Sequence, residues 1–437
     1  MGSAASGSWG ELAGGAAFAA RSARLRGRSV LVETAGQLAA AEAMIQLDGV
    51  VRRMVLYPPD MSREHLAFVS DAAETDELIT EDPDLKCRFE HLLSKRRPPI
   101  NPRIHSKAAI ETEWILLTSG TTGTPKLVKH TLATLTGAIK PRDPSAEPIV
   151  WSTFYDIRRY GGLQIFLRAA LTGTPLVLSS PQEPLADFLT RAGKRGITHI
   201  SGTPSQWRRV LMSPAARAIA PSYIRLSGEI ADQAILNQLQ SRYPNAKIAH
   251  AFASTEAGVV LEVNDVVMGI SADAIGPNAD VETKVEEGTL RVRSNRTAFE
   301  YLGKNIQPLK DAHGFVDTSD VLELREGRYY FSGRRDGIIN VGGLKVHPEE
   351  VEAVLNRHPD VGMSLVRTRK SSITGGLVVA DVVLRKSEHP EDDAKALQRD
   401  ILSFCREQLA LYKVPVGINF VSTLAVAETG KLIRRDA

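Results

Sequence analysis

Five hydroxyl side chains, two glycines and a lysine crowd one short stretch, Thr118-Ser119-Gly120-Thr121-Thr122-Gly123-Thr124-Pro125-Lys126. Glycines let successive backbone N–H groups converge on one point, hydroxyls donate further hydrogen bonds, and Lys126 adds a point charge, a set of properties that suits phosphate. The Walker arrangement does not apply: counting from Gly120, Pro125 falls where its second glycine belongs and Leu127 where its Ser/Thr metal ligand belongs. A flexible polar connector has the same composition.

Three further segments bring the groups that phosphoryl chemistry needs. In "AFASTEAG", Ala251 to Gly258, Glu256 offers a hard carboxylate to Mg²⁺, Thr255 a hydroxyl to an α-phosphate and Phe252 a ring face to adenine. A helix start capped by Ser254 or Thr255, with Glu256 in its first turn, uses the same residues. Asp320, in "VDTSDV", has two acceptor oxygens suited to the hydroxyls of a ribose, although such a run also forms ordinary turns. Arg334, fourteen residues on, carries a planar fork for ribose or phosphate oxygens, or for a surface ion pair. Lys431, in "ETGKLIRR", is an ammonium that could neutralise a carboxylate and an α-phosphate together, or one charge of a solvated basic end.

These residues need elements to hold them. "EWILL", Glu113 to Leu117, reads as a buried strand leading into the loop, and "LVKHTLATLTGAI" after it as strand and then helix. From "GRRDG" onward a separate small αβ unit is expected. Its first helix is "HPEEVEAVLNRHP", with Val351, Val354 and Leu355 on one face; "GMSLVRTRK" and "GLVVADVVLRK" are strands about a turn at "SSITGG". A helix through Ala394, Leu397, Ile401 and Phe404 and a strand at "INFVSTL" complete it.

A chain of 437 residues exceeds one compact core and predicts two or three units. Apolar residues at 43%, charged residues at 24% and a net charge of +3 describe an ordinary globular composition. The densest basic cluster, "SKRRPPINPR", reads as a solvated proline-rich connector, so no nucleic-acid partner is expected. No apolar run reaches the length of a membrane span, and the N-terminal stretch lacks the apolar core of a secretion signal. Cys87 and Cys405 fit neither a disulfide framework nor a zinc site, which suits a reducing cytoplasm.

"TSGTTGTPK" closely resembles the phosphate loop of the adenylate-forming superfamily, which includes acyl-CoA synthetases, aryl-acid ligases, luciferases and nonribosomal adenylation domains. Four later segments resemble that superfamily in the same order: "AFASTEAG", "GFVDTSDV", "FSGRRDGIINVGGLKVHPEEVE" and "AETGKLIRRD". The likeness runs from about Ala35 to the C-terminus. It implies an α/β fold with a large N-terminal domain of several sheet-and-helix subdomains, residues 1–335, and a small mobile α+β domain, residues 336–437, turning about Asp336. It also implies ATP, Mg²⁺ and, as acceptor, coenzyme A. By the same resemblance Lys431, Glu256, Thr255 and Lys126 are catalytic, with Glu256 on the metal. Thr118, Ser119, Gly120, Thr121, Thr122, Gly123, Phe252, Asp320, Arg334, Gly228 and Glu229 would hold the nucleotide, and Gly342 and Gly343 would flank the thiol's path.

The chain departs from that pattern in places. Ser319 and Ala253 stand where glycine is usual, and Ala253 would put a methyl on the floor of an acyl pocket. The region before the phosphate loop is short. In "STFYDIRRYGGLQIF" an aromatic and histidine are usual; one register puts Arg158 at the histidine position, another puts Asp156 there, as in amino-acid-activating domains. Tyr155, Arg158 and Ala253 are therefore the substrate candidates. The expectation is a ligase that turns a carboxylic acid, aryl or medium-length, into an acyl-adenylate and then a thioester. A stand-alone enzyme loading an acyl carrier protein and a catalytically silent nucleotide binder are the alternatives.

Overall fold

Ser29–Val32 and Arg53–Leu56 are buried at every position, as expected of parallel strands covered by helices on both faces. The computed structural model describes residues 6–14, 22–94, 110–118, 124–143, 145, 147–180, 182–278, 280–304, 306–371, 375–385, 391–426 and 430–434. Ser119, Gly120, Thr121, Thr122 and Gly123, and the basic connector at 95–109, lie outside them.

Those two buried strands lie within a six-stranded sheet ordered Glu300–Leu302, Lys126–His130, Glu113–Thr118, Arg53–Leu56, Ser29–Val32, Glu77–Ile79. The last four run parallel and the first two extend the edge antiparallel. Thr118 pairs with Lys126, which puts both at the carboxyl end of the parallel set, where α/β sheets bind ligands.

A second six-stranded sheet runs Gly258–Val263, Lys247–Ser254, Tyr223–Ser227, His199–Gly202, Trp151–Thr153, Leu176–Val177, parallel except for its first strand. Helix Tyr160–Thr172 joins the two layers, since its Leu163 and Phe166 share one apolar cluster with Met54 and Trp114 of the first sheet. Gly162 permits its start: a Cβ there would come within 2.2 Å of the Asp156 carbonyl oxygen.

The third sheet is antiparallel, with Val316–Arg325 and Arg328–Arg334 paired across a tight turn so that Asp320 sits opposite Arg334. Ser319 has φ of 61°, the left-handed region that glycine tolerates best. Ser319→Gly should relieve about 1–2 kcal/mol of strain against about 0.4–1 kcal/mol of unfolded-chain entropy. A small rise in urea midpoint is the expected measurement.

The C-terminal sheet begins at Ile339 and is ordered Leu344–Val346, Ile339–Val341, Gly375–Leu384, Val361–Ser371, with Gly417–Phe420 beside Gly375–Leu384. Helices Pro348–Leu355 and Glu391–Gln408 accompany it, and Val351, Leu355, Val366, Val382 and Ile401 form its core. One expected alternative does not occur: Thr255–Ala257 form the turn of an antiparallel hairpin between Lys247–Ser254 and Gly258–Val263, not a helix start.

Candidate active site

A cavity of about 270 Å³ opens where the second and third sheets face the C-terminal unit, with Phe252, Asp320, Phe331, Arg334, Gly228 and Lys431 among its walls. Phe252, near the end of its strand, stacks on Phe331 of the third sheet with ring centroids 5.0 Å apart and planes at 13°. His250, Val263 and Ile270 continue that wall, which offers a flat, largely apolar surface for a planar base. Phe331 is a wall residue that the motifs did not single out. It lines the cavity with Gly333, but the pairing shifts between them and interrupts the strand alternation, so no spacing in "RYYFSGR" pointed to it.

Asp320 and Arg334 meet because the hairpin register brings them side by side. Burial pushes the Asp320 carboxyl up to about 6, with Arg334 and Lys431 pulling the other way. Arg334 also reaches Asp336, Nε to Oδ1 3.3 Å, so the ion-pair reading and a place in the cavity wall hold together.

The Thr255–Glu256 turn is fastened from behind by His130. Its Nε2 lies 2.7 Å from the Thr255 carbonyl oxygen and its Nδ1 2.9 Å from Thr134 Oγ1. Burial lowers the His130 pKa to about 4, so near neutral pH the ring is uncharged and donates one hydrogen bond to that carbonyl. Glu256 accepts from the Tyr301 hydroxyl at 3.3 Å, and Lys126 Nζ stands 5.1 Å from the Tyr301 ring centroid. Carboxylate, phenol and ammonium thus share one corner. Among the described residues no group of three or more His, Cys, Asp or Glu could hold a metal. A single carboxylate fits Mg²⁺ carried in by a polyphosphate, since that ion is usually bound through one or two carboxylates, substrate phosphates and water.

Lys431 arrives from the far end of the chain. Ile433 N donates to Ala425 O at 3.0 Å and Val426 bridges to Leu432, so Gly430 and Lys431 lie just beyond the last bridge of an antiparallel pair. Its base is clamped by Arg434, paired with Glu349 at 2.9 Å and Glu352 at 2.7 Å. Burial holds the Glu352 carboxyl well above the usual carboxylate range, and Arg434 opposes that shift. The lysine Cε lies 3.5 Å from where a Gly228 Cβ would begin, ordinary contact distance, and it is the φ of 84° that favours glycine at this position.

Other candidates are placed differently. Arg158 is a correction in position: its guanidinium is fully buried, bonded to both Asp156 oxygens and to the Thr34 carbonyl, and it lines neither principal cavity. Asp156, the other register's candidate, borders a second cavity of about 280 Å³, but its carboxylate is engaged by Arg158. Arg158→Ala should therefore cost about 3–5 kcal/mol by leaving a buried carboxylate unpaired. Chemical denaturation should show that loss, while the acid's KM on the folded enzyme stays near wild type.

Tyr155 is buried, with its hydroxyl 2.6 Å from the Ser227 carbonyl it donates to, directly behind Gly228. Ala253 lines the main cavity. Gly342 and Gly343, at φ 60° and 89°, make the exposed two-residue turn between Ile339–Val341 and Leu344–Val346, outside both cavities. Among the described residues no helix is long and apolar enough to cross a membrane.

Residues 26–295 match the AMP-binding enzyme family and residues 350–431 the AMP-binding enzyme C-terminal domain. A 2-succinylbenzoate–CoA ligase of Bacillus cereus (strain AH820) is 26% identical over 87% of this chain and 82% of its own length. Acyl-CoA ligase ppsA of Aspergillus oryzae is 28% identical over 75% of this chain and 62% of its own. Among solved structures, the anthranilate CoA ligase AuaEII in complex with anthranoyl-AMP superposes with a TM-score of 0.78 at 17% identity, covering 95% of this chain and 87% of that one. The o-succinylbenzoate CoA synthetase of Bacillus subtilis gives 0.70 at 20% identity, covering 95% and 89%. At such identities the structural likeness is one of fold, and the family assignment rests on the sequence match across more than half the chain. The chain belongs to the AMP-binding enzyme family of adenylate-forming enzymes.

Proposed function

We propose that this protein activates a carboxylic acid with Mg·ATP, releasing pyrophosphate, and passes the acyl group from the resulting acyl-adenylate to coenzyme A. The observation that carries this reading is Lys431, brought by the C-terminal hairpin into the same cavity as Asp320, Arg334 and Phe252. An acid's carboxylate must attack the α-phosphorus of ATP, so two anions approach, and a fixed ammonium between them lowers that cost. Phe252 and Phe331 would hold the base and Asp320 the ribose hydroxyls. Mg²⁺ on Glu256 would neutralise the phosphates, with Lys126 at the same corner. The ligase names of the relatives support coenzyme A as acceptor and an aryl acid as substrate class. A stand-alone enzyme loading a carrier protein is the second reading; the small-to-medium residue Ala253 at the cavity suits either.

Pyrophosphate exchange into ATP across a panel of aryl and medium-length acids tests the first step, and adding coenzyme A or a carrier protein then identifies the acceptor. Exchange with none of the acids, in folded protein that binds ATP, overturns the proposal in favour of a silent binder.

The Asp320 role has a pH signature. With its pKa near 6 in the free protein, the group accepts from ribose hydroxyls as a carboxylate above that pH and is neutral below it. ATP affinity should thus be maximal above about pH 6 and weaken about tenfold per unit below it. Calorimetric titrations between pH 5 and 8 check this, and Asp320→Asn should weaken binding while flattening the acid limb.

A further inference from the structure

Two side chains of the N-terminal part bracket Lys431 by binding the backbone on either side of it. Thr203 Oγ1 donates to the Gly430 carbonyl at 2.6 Å, and Glu229 Oε1 accepts from the Leu432 N–H at 3.0 Å. Each is fixed in advance by its own neighbours. Thr203 Oγ1 accepts from Gln206 N at 3.0 Å while Gln206 Oε1 accepts from Thr203 N at 2.8 Å, a reciprocal cap on helix Pro204–Met212. Glu229 Oε2 accepts from Ser205 N at 2.9 Å. Neither side chain must be ordered when the hairpin docks, which keeps the entropic cost of docking low. Close fit points the same way: Gly430, at φ 78°, lies so near helix Pro204–Met212 that a Cβ would come within 2.6 Å of the Gln206 carboxamide.

We propose that Thr203 and Glu229 form a latch that holds the Lys431 hairpin over the cavity for adenylation and must release it before the thiol reacts. They are positioning residues, acting through Lys431. Glu229, a nucleotide contact by resemblance, is here committed through both oxygens to backbone N–H groups, one from each part of the chain. A hydrogen bond to a charged acceptor shifts a docking equilibrium by about 10- to 100-fold, so the latch sets how the enzyme divides its time between the two half-reactions. The inference rests on the reading that Lys431 serves adenylation.

The test uses the full chain and three readouts: pyrophosphate exchange with the panel acid that exchanges fastest, AMP release from its preformed adenylate with coenzyme A, and amide hydrogen exchange at 425–433 without ligands. Glu229→Ala and Thr203→Val should lower the ratio of pyrophosphate exchange to AMP release by about tenfold or more and speed hydrogen exchange in the hairpin. Thr203→Ser, which keeps the hydroxyl, should restore much of both, whereas Glu229→Gln, left with one acceptor oxygen for two N–H groups, should restore them only in part. Gly430→Ala approaches the same contact from the hairpin side and should shift the ratio the same way even if an N-terminal variant fails to fold. An unchanged ratio together with unchanged hairpin exchange in the folded variants overturns the latch. Lys431→Ala separates the two ideas: if it abolishes pyrophosphate exchange while the latch variants behave as wild type, the latch alone is wrong; if it leaves pyrophosphate exchange intact, the reading beneath it is wrong.

Discussion

Lys431→Ala should lower acid-dependent pyrophosphate exchange by about 10²- to 10³-fold, the usual loss when one fixed group that stabilises developing charge is removed. The reason is local. The ammonium enters beside Gly228 and its charge is felt by Asp320, so in the proposed reaction it would stand where acid and α-phosphate meet. Arg434, the next cation along the described tail, is committed to Glu349 and Glu352. Thioester formation from supplied acyl-adenylate should survive, because that step has no second anion to bring in. Equal loss of both half-reactions in folded Lys431→Ala protein would contradict this division of labour.

Glu256→Gln should cost several kcal/mol of charge stabilisation at the phosphates, on the order of 10²- to 10³-fold in the adenylation rate. The turn itself should persist: His130 holds the Thr255 carbonyl, and Ala298 N donates to the Glu256 carbonyl at 2.9 Å. Both contacts are to backbone and are indifferent to the side-chain charge. The Mg²⁺ concentration needed for half-maximal exchange should rise as well. Unchanged exchange at low and at saturating Mg²⁺ would remove Glu256 from the metal corner.

The C-terminal unit was legible because its apolar periodicity is uninterrupted: helix Pro348–Leu355, the long strands and helix Glu391–Gln408 lie where their patterns predict. The two six-stranded sheets were legible mainly through resemblance, since short apolar runs such as Trp151–Thr153 look alike in strand and loop. Contacts between distant segments were not legible from spacing. Nothing in the sequence says that Lys431 lies beside Gly228; only the order of motifs suggested it. Arg158 shows the opposite failure. Residue type announced a cation, but burial and an i−2 partner, Asp156, make it a structural ion pair. His130 and Phe331 escaped because each acts through its neighbour, one on a carbonyl and one on a ring.

The central claim is that the acid's own oxygen bonds to the α-phosphorus of ATP. It is tested most directly by supplying an exchanging acid with both carboxylate oxygens as ¹⁸O, together with ATP, Mg²⁺ and coenzyme A, and weighing the products. Attack at the α-phosphorus followed by thiol displacement predicts one ¹⁸O in AMP and none in pyrophosphate. Label appearing in inorganic phosphate with ADP formed, or in neither nucleotide nor phosphate, would contradict the acyl-adenylate and with it the role assigned to Lys431.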